Sequence, residues 1–174
     1  MARDLVQDSL TALAEGLPTA PARLSRRRRS AVLALDADGD VACTLIARRS
    51  VGYVESCTYL FQRHQGTWTY LGGGGGPGDD LFAPRPDPTP DGEHLHYAGV
   101  GGVRGAHGWR KPWISEVELR CSPQVAALEV TGRIVPVAAH GNAVVVWSSS
   151  RAPLITALDA EGHPLQSCTP KSRL

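Results

Sequence analysis

Lysine is nearly absent from this chain, closely spaced cysteines and long apolar runs are missing, and net charge is close to zero. Each shortage removes a class of protein. No apolar run reaches the roughly 18 residues of a membrane-crossing helix. The N-terminal segment carries Asp4 and Asp8 where a secretory leader needs a continuous apolar centre, so the expected location is the cytoplasm. A formal net charge of +1 provides no long-range field toward nucleic acid or an anionic membrane. Sixteen of the eighteen basic residues are arginine, the others being Lys111 and Lys171. Together with abundant Ala, Gly and Pro, that bias points to a GC-rich bacterial gene.

The four cysteines, Cys43, Cys57, Cys121 and Cys168, include no C-x-x-C pair, which removes the usual zinc and dithiol signatures. In a reducing compartment they are expected as free, buried thiols. One pair needs a structural check: a hairpin closed around Ser50 would set Cys43 opposite Cys57, within geometric reach of a disulfide. No G-x-S-x-G elbow and no Gly-Lys-Ser/Thr ending occur, so neither a serine-hydrolase nucleophile nor a P-loop is marked.

The densest motif is the glycine run from Gly72 to Gly76. Gly73, Gly75 and Gly78 satisfy G-x-G-x-x-G, but Pro77, Asp79 and Asp80 follow, then Pro84, Pro86, Pro88 and Pro90. A dinucleotide site needs a helix N-terminus at that place. The composition instead predicts a long flexible Gly/Pro-rich loop over 72–93, either slack or a lid. Its acids Asp79, Asp80, Asp87, Asp91 and Glu93 lack calcium-loop spacing. His94 and His96 would share one face of a strand, with His107, His140 and His163 as further donors. Two histidines at that spacing do not specify a metal. No catalytic, cofactor or metal residue is assigned from the sequence.

The 174 residues, 42% hydrophobic and 20% charged, suit one folded body. Residues 1–29 read as an N-terminal helix and a basic linker. Leu5, Val6, Leu10, Leu13 and Ala14 gather on one side of that helix, and Gly16 and Pro18 end it. Residues 30–174 read as a single β domain. Short β-rich runs at 31–35, 41–47, 53–63, 67–71, 114–120, 126–131, 133–138, 143–148 and 154–158 are separated by Asp/Gly-type turns. Over 114–120, Ser115, Val117 and Leu119 form a dry face, and Glu116, Glu118 and Arg120 a wet one. Runs 133–138 and 143–148 read as joined through His140-Gly141-Asn142, with Pro136 marking an edge or a bulge. ALDADG at 34–39 echoes ALDAEG at 157–162, for which recurrent turn chemistry is the simpler account. The expected fold is mainly β, an antiparallel β-sandwich or partly open barrel of about nine short strands with one N-terminal α-helix.

The first functional reading is a non-catalytic intracellular protein-interaction module, adaptor or regulatory, whose partner is another protein. Its surface is VRGAHGWRKPW, where Arg104, His107, Trp109, Arg110 and Trp113 combine the residue types enriched at interface hot spots. The alternative is a small-ligand-binding protein or metal-dependent enzyme with a pocket under the 72–91 loop, for which His94, His96 and His107 come first. A second alternative is contact with an anionic polymer or membrane through Arg26–Arg29. Against nucleic acid stand the neutral chain and the lack of aromatics among those arginines.

Overall fold

The computed structural model describes residues 2–17, 24–78, 80–108 and 111–171. Glycine-containing turns cut the chain into hairpins. Strand β1 (Ser30–Asp38) turns into β2 (Val41–Arg49) through Gly39, at φ 60°, and Asp40. Strand β3 (Val54–His64) turns into β4 (Thr67–Pro77) through Gln65 and Gly66, with φ of 49° and 80°. Two consecutive positive φ angles make a type I′ turn, whose twist matches the flanking strands. The same solution recurs at Thr131 and Gly132, φ 49° and 84°, between β7 (Ala127–Val130) and β8 (Arg133–Pro136). The remaining strands are β5 (Leu95–Arg104), β6 (Trp113–Cys121), β9 (Asn142–Trp147), β10 (Ile155–Leu158) and β11 (Pro164–Cys168).

These strands form three antiparallel sheets, none closed into a barrel, so the fold is mainly β and sandwich-like with one N-terminal helix. The first sheet has the order β1-β2-β3-β4, the middle sheet β5-β6-β9 and the third β11-β10-β7-β8. Leu33, Leu45 and Leu60 of the first sheet pack on Ile114, Val144 and Val146 of the middle one. The opposite face of the middle sheet packs Val117, Leu119, Val145 and Trp147 against Leu128, Val130 and Ile155 of the third. Strand β9 therefore needs apolar residues on both faces, and all six of its residues are buried. That requirement overturns the expected hairpin around Gly141: β9 crosses to pair with β6, while β8 pairs with β7 at the rim of the third sheet. Pro136 sits on that rim strand, where its missing donor breaks no ladder.

Helix α1 (Ala2–Glu15) docks on the outer face of the first sheet. Leu5, Ser9 and Ala12, spaced four and three apart, are its buried stripe, whereas Ala14, expected on that side, is exposed. The stripe meets Ile46, Tyr59 and Phe61, and the Ser9 hydroxyl shares a buried 2.7 Å hydrogen bond with that of Thr44. Gly16, at φ 85°, ends the helix by donating its N–H to the Ala12 carbonyl at 2.8 Å. Among the described residues no helix is long and apolar enough to cross a membrane.

The Cys43–Cys57 expectation fails on register. The turn spans Ser50 to Tyr53 rather than pivoting on Ser50, so Cys43 faces Leu60 and Cys57 faces Ile46. The two thiols then lie on opposite faces of the sheet, and all four cysteines are free. The ALDADG echo also divides. Asp36, 3% exposed, accepts hydrogen bonds from Arg133 Nη2 at 2.7 Å and from Val146 N at 2.9 Å. Asp159 instead ties a surface turn, accepting from Glu161 N and His163 N.

Candidate functional site

The glycine run, expected as loop, is the second half of β4 and pairs with β3 from Gly72↔Leu60 to Gly76↔Ser56. Gly73 admits no side chain, because a Cβ there would overlap the Thr58 carbonyl oxygen. Downstream, the segment of Leu81 to Arg85 is fastened by two arginines, the buried Arg120 and the half-buried Arg85. Arg120 Nη1 donates to Leu81 O, His140 O and Asn142 Oδ1 at 3.3, 3.0 and 2.9 Å, and its Nη2 to Ala83 O and Pro84 O at 3.1 Å each. Arg85 donates to the carbonyls of Cys121, Ser122 and Val125.

Between β4 and β5 the first and middle sheets part, leaving a cleft of about 900 Å³. Its floor comes from alternate residues of two strands: Ser56, Thr58 and Leu60 of β3, and Glu116, Glu118 and Arg120 of β6. Its walls are largely glycine, Gly73–Gly76 of β4 and Gly99, Gly101 and Gly102 of β5. Register explains the pairing of glycine with glutamate. On β5, His96 faces Arg120, Gly99 faces Glu118 and Gly101 faces Glu116, with a bulge between Tyr97 and Gly99. The extra residue turns His96, Gly99 and Gly101 to one side. A Cβ on Gly101 would overlap the Glu116 carboxylate, so the glycines give the two acids room to lie against β5.

Glu116, Glu118 and Arg120, read from sequence as a wet face, are thus an internal one; Glu116 is only 3% exposed. Ser56 Oγ donates to Glu118 Oε2 at 2.9 Å, and Thr58 Oγ1 makes a long 3.5 Å contact to Glu116 Oε1. Among the described residues, Glu116 Oε2 is buried without a hydrogen-bond partner, as is His96 Nε2. Burial, with the neighbouring Glu118 charge second, lifts the Glu116 carboxyl from its ordinary 4.5 to about 7. Burial also raises Glu118, against the opposing Ser56 hydrogen bond. Because Arg120 spends its donors on main-chain carbonyls and Asn142, no cation of the described chain neutralises the pair. Such a floor can hold a positively charged or donor-rich group, and a carboxyl titrating near neutrality can also exchange a proton.

The sequence-derived surface is distributed differently. Arg104 ends β5 opposite Trp113, which begins β6 and is 40% exposed. His107 stacks on His64 with ring centroids 4.5 Å apart, and Gln62 Oε1 accepts from Ala106 N and His107 N at 2.9 and 3.0 Å. Trp109 and Arg110 lie outside the described residues. His94 bonds Ser122 Oγ at 2.8 Å through Nδ1, while His96 lines the cleft. Among the described residues the other candidate histidines do not gather around His94 and His96; His163 alone joins a metal-spaced trio, with Asp159 and Glu161, on the exposed turn that Asp159 closes. Arg26–Arg29 are exposed, and the hollow beside Arg27–Arg29 is shared with the acids Asp8 and Glu15.

Sequence reasoning missed Ser56, Thr58, His96, Glu116 and Glu118 as a group. The available signal was the match of two spacings, Glu-x-Glu in β6 and Gly-x-Gly in β5. Compared with protein-family models, with curated proteins and with solved structures, the chain matches none.

Proposed function

We propose that this protein binds a small ligand carrying a positively charged, hydrogen-bond-donating group in the cleft between β4 and β5. One observation carries the reading: the Glu116 carboxylate presents a buried, unpartnered oxygen at the floor of a 900 Å³ cleft. A buried acceptor without a donor costs free energy that a fitting ligand recovers. The paired acids favour an ammonium or guanidinium over a neutral donor. Calorimetric titration at pH 8 with n-butylammonium, arginine amide and a neutral polyol tests this. The cations are expected to bind and the polyol not to, with binding lost in Glu116→Gln. Cation binding that survives both Glu116→Gln and Glu118→Gln would remove the reading.

A protein partner at the 103–113 segment is the second reading. It is favoured by the exposed face of Trp113 beside the exposed Arg104. Trp113→Ala is expected to leave the melting temperature unchanged and to abolish co-purification of a defined partner from the native cell; retention of that partner would exclude this surface.

A further inference from the structure

The proposed cation is one part of a ligand, and the walls of the cleft describe the remainder. β4 is the outermost strand of the first sheet and β5 the outermost of the middle sheet, so each presents an unpaired edge at the mouth. Gly73–Pro77 are exposed along one edge, and Ala98, Val100 and Gly102 along the other. Glycine is a poor strand former, and an open edge exposes main-chain donors and acceptors to any chain that can pair with them. A run of glycine in such an edge marks a place where another backbone comes close. The floor repeats the strand period: Thr58 meets Glu116 and Ser56 meets Glu118. From Glu116 to Arg120 the cleft spans about 13 Å, roughly four residues of extended chain. The lining also includes two buried leucines, Leu60 and Leu81.

We infer that the occupant is an extended peptide whose main chain runs along the glycine edges of β4 and β5, with one Lys or Arg side chain reaching Glu116 and Glu118. Main-chain hydrogen bonds supply register and the buried acids supply selectivity, the division of labour in strand addition. This rests on the cation-binding reading and adds the polymer that bears the cation. The glycines facing the cleft are then required empty. Gly76 pairs with Ser56 and so points the same way, and a Cβ there meets no atom within 4 Å.

The test is calorimetric titration of the full chain at pH 8 with four probes: acetyl-Val-Thr-Lys-Thr-Val-amide, the same peptide with norleucine for lysine, the lysine peptide N-methylated at alternate amides, and n-butylammonium. The lysine peptide is expected to bind about tenfold or more tighter than each of the others. Gly76→Val is expected to weaken that peptide about tenfold by filling the cleft, with the melting temperature showing that the fold is kept. Should that variant melt early, the N-methylated peptide carries the same test on the unaltered chain. An N-methylated peptide as tight as its parent would overturn the extended-chain inference while leaving the cation reading intact. A norleucine peptide as tight as the lysine one would overturn the charge assignment. Failure of both peptide and amine to bind would remove both proposals.

Discussion

Glu116 couples the cleft to the stability of the fold. Its carboxyl holds a proton more tightly in the folded chain, where it titrates near 7, than in the unfolded chain, where 4.5 is ordinary. A group raised in this direction contributes most below the unfolded value, and that contribution is lost as pH rises from 4.5 through 7. At about 1.4 kcal/mol per unit, ionisation costs the empty protein about 3 kcal/mol by pH 8. Glu116→Gln removes the titration. Part of that cost already falls below pH 5, so the variant is expected to gain on the parent between pH 5 and pH 8 by about 2.5 kcal/mol, read from urea midpoints at the two pH values. Equal pH dependence in both proteins would show that Glu116 is ionised at ordinary cost. In the parent, a bound cation is expected to flatten the same profile.

At the level of single strands, the hairpins with Gly, Asp and Gln turns were readable because local chemistry specifies them: Gly66 and Gly132 each sit where a positive φ is needed. Strand β5 and the glycine half of β4 were not readable. Strand propensity records side-chain packing, and these strands serve by having no side chains, with Gly101 making room for Glu116. Strand β6 hid the site for a related reason, since acids alternating with apolar residues look the same on a solvent face and on a polar internal one. The β8–β9 connection was misread because loop length does not say which sheet the next strand joins. The glycines are not equivalent, and two substitutions separate them. Gly73→Ala drives a methyl into the Thr58 carbonyl and is expected to cost about 2–3 kcal/mol. Gly76→Val meets open space and is expected to add about 0.5–1 kcal/mol through reduced chain entropy. Paired thermal melts check both, and equal effects would refute the assigned side-chain directions.

For the molecule as a whole, the order helix, first sheet, middle sheet, third sheet sets what solvent can reach. Cys43 and Cys121 are fully buried, and burial drives the Cys43 thiol well up and the Cys121 thiol to about 12. Cys57 lies under the helix at 9% exposure, and Cys168 is half-buried on the last strand. A disulfide-exchange reagent is thus expected to modify Cys168 first in the native protein and to reach Cys43 and Cys121 only at the rate of global unfolding. Mass-spectrometric mapping of the labelled positions over time checks this order; early labelling of Cys121 would contradict the packing of the middle sheet on the third. The same layering has a consequence during synthesis. The helix and the first sheet are complete once β4 has left the ribosome, yet Val144 and Val146, which cover that sheet's inner face, are translated much later. The nascent chain therefore carries a finished but uncovered leucine-rich surface until β9 emerges, and its yield in the cell should respond to chaperone supply and translation speed.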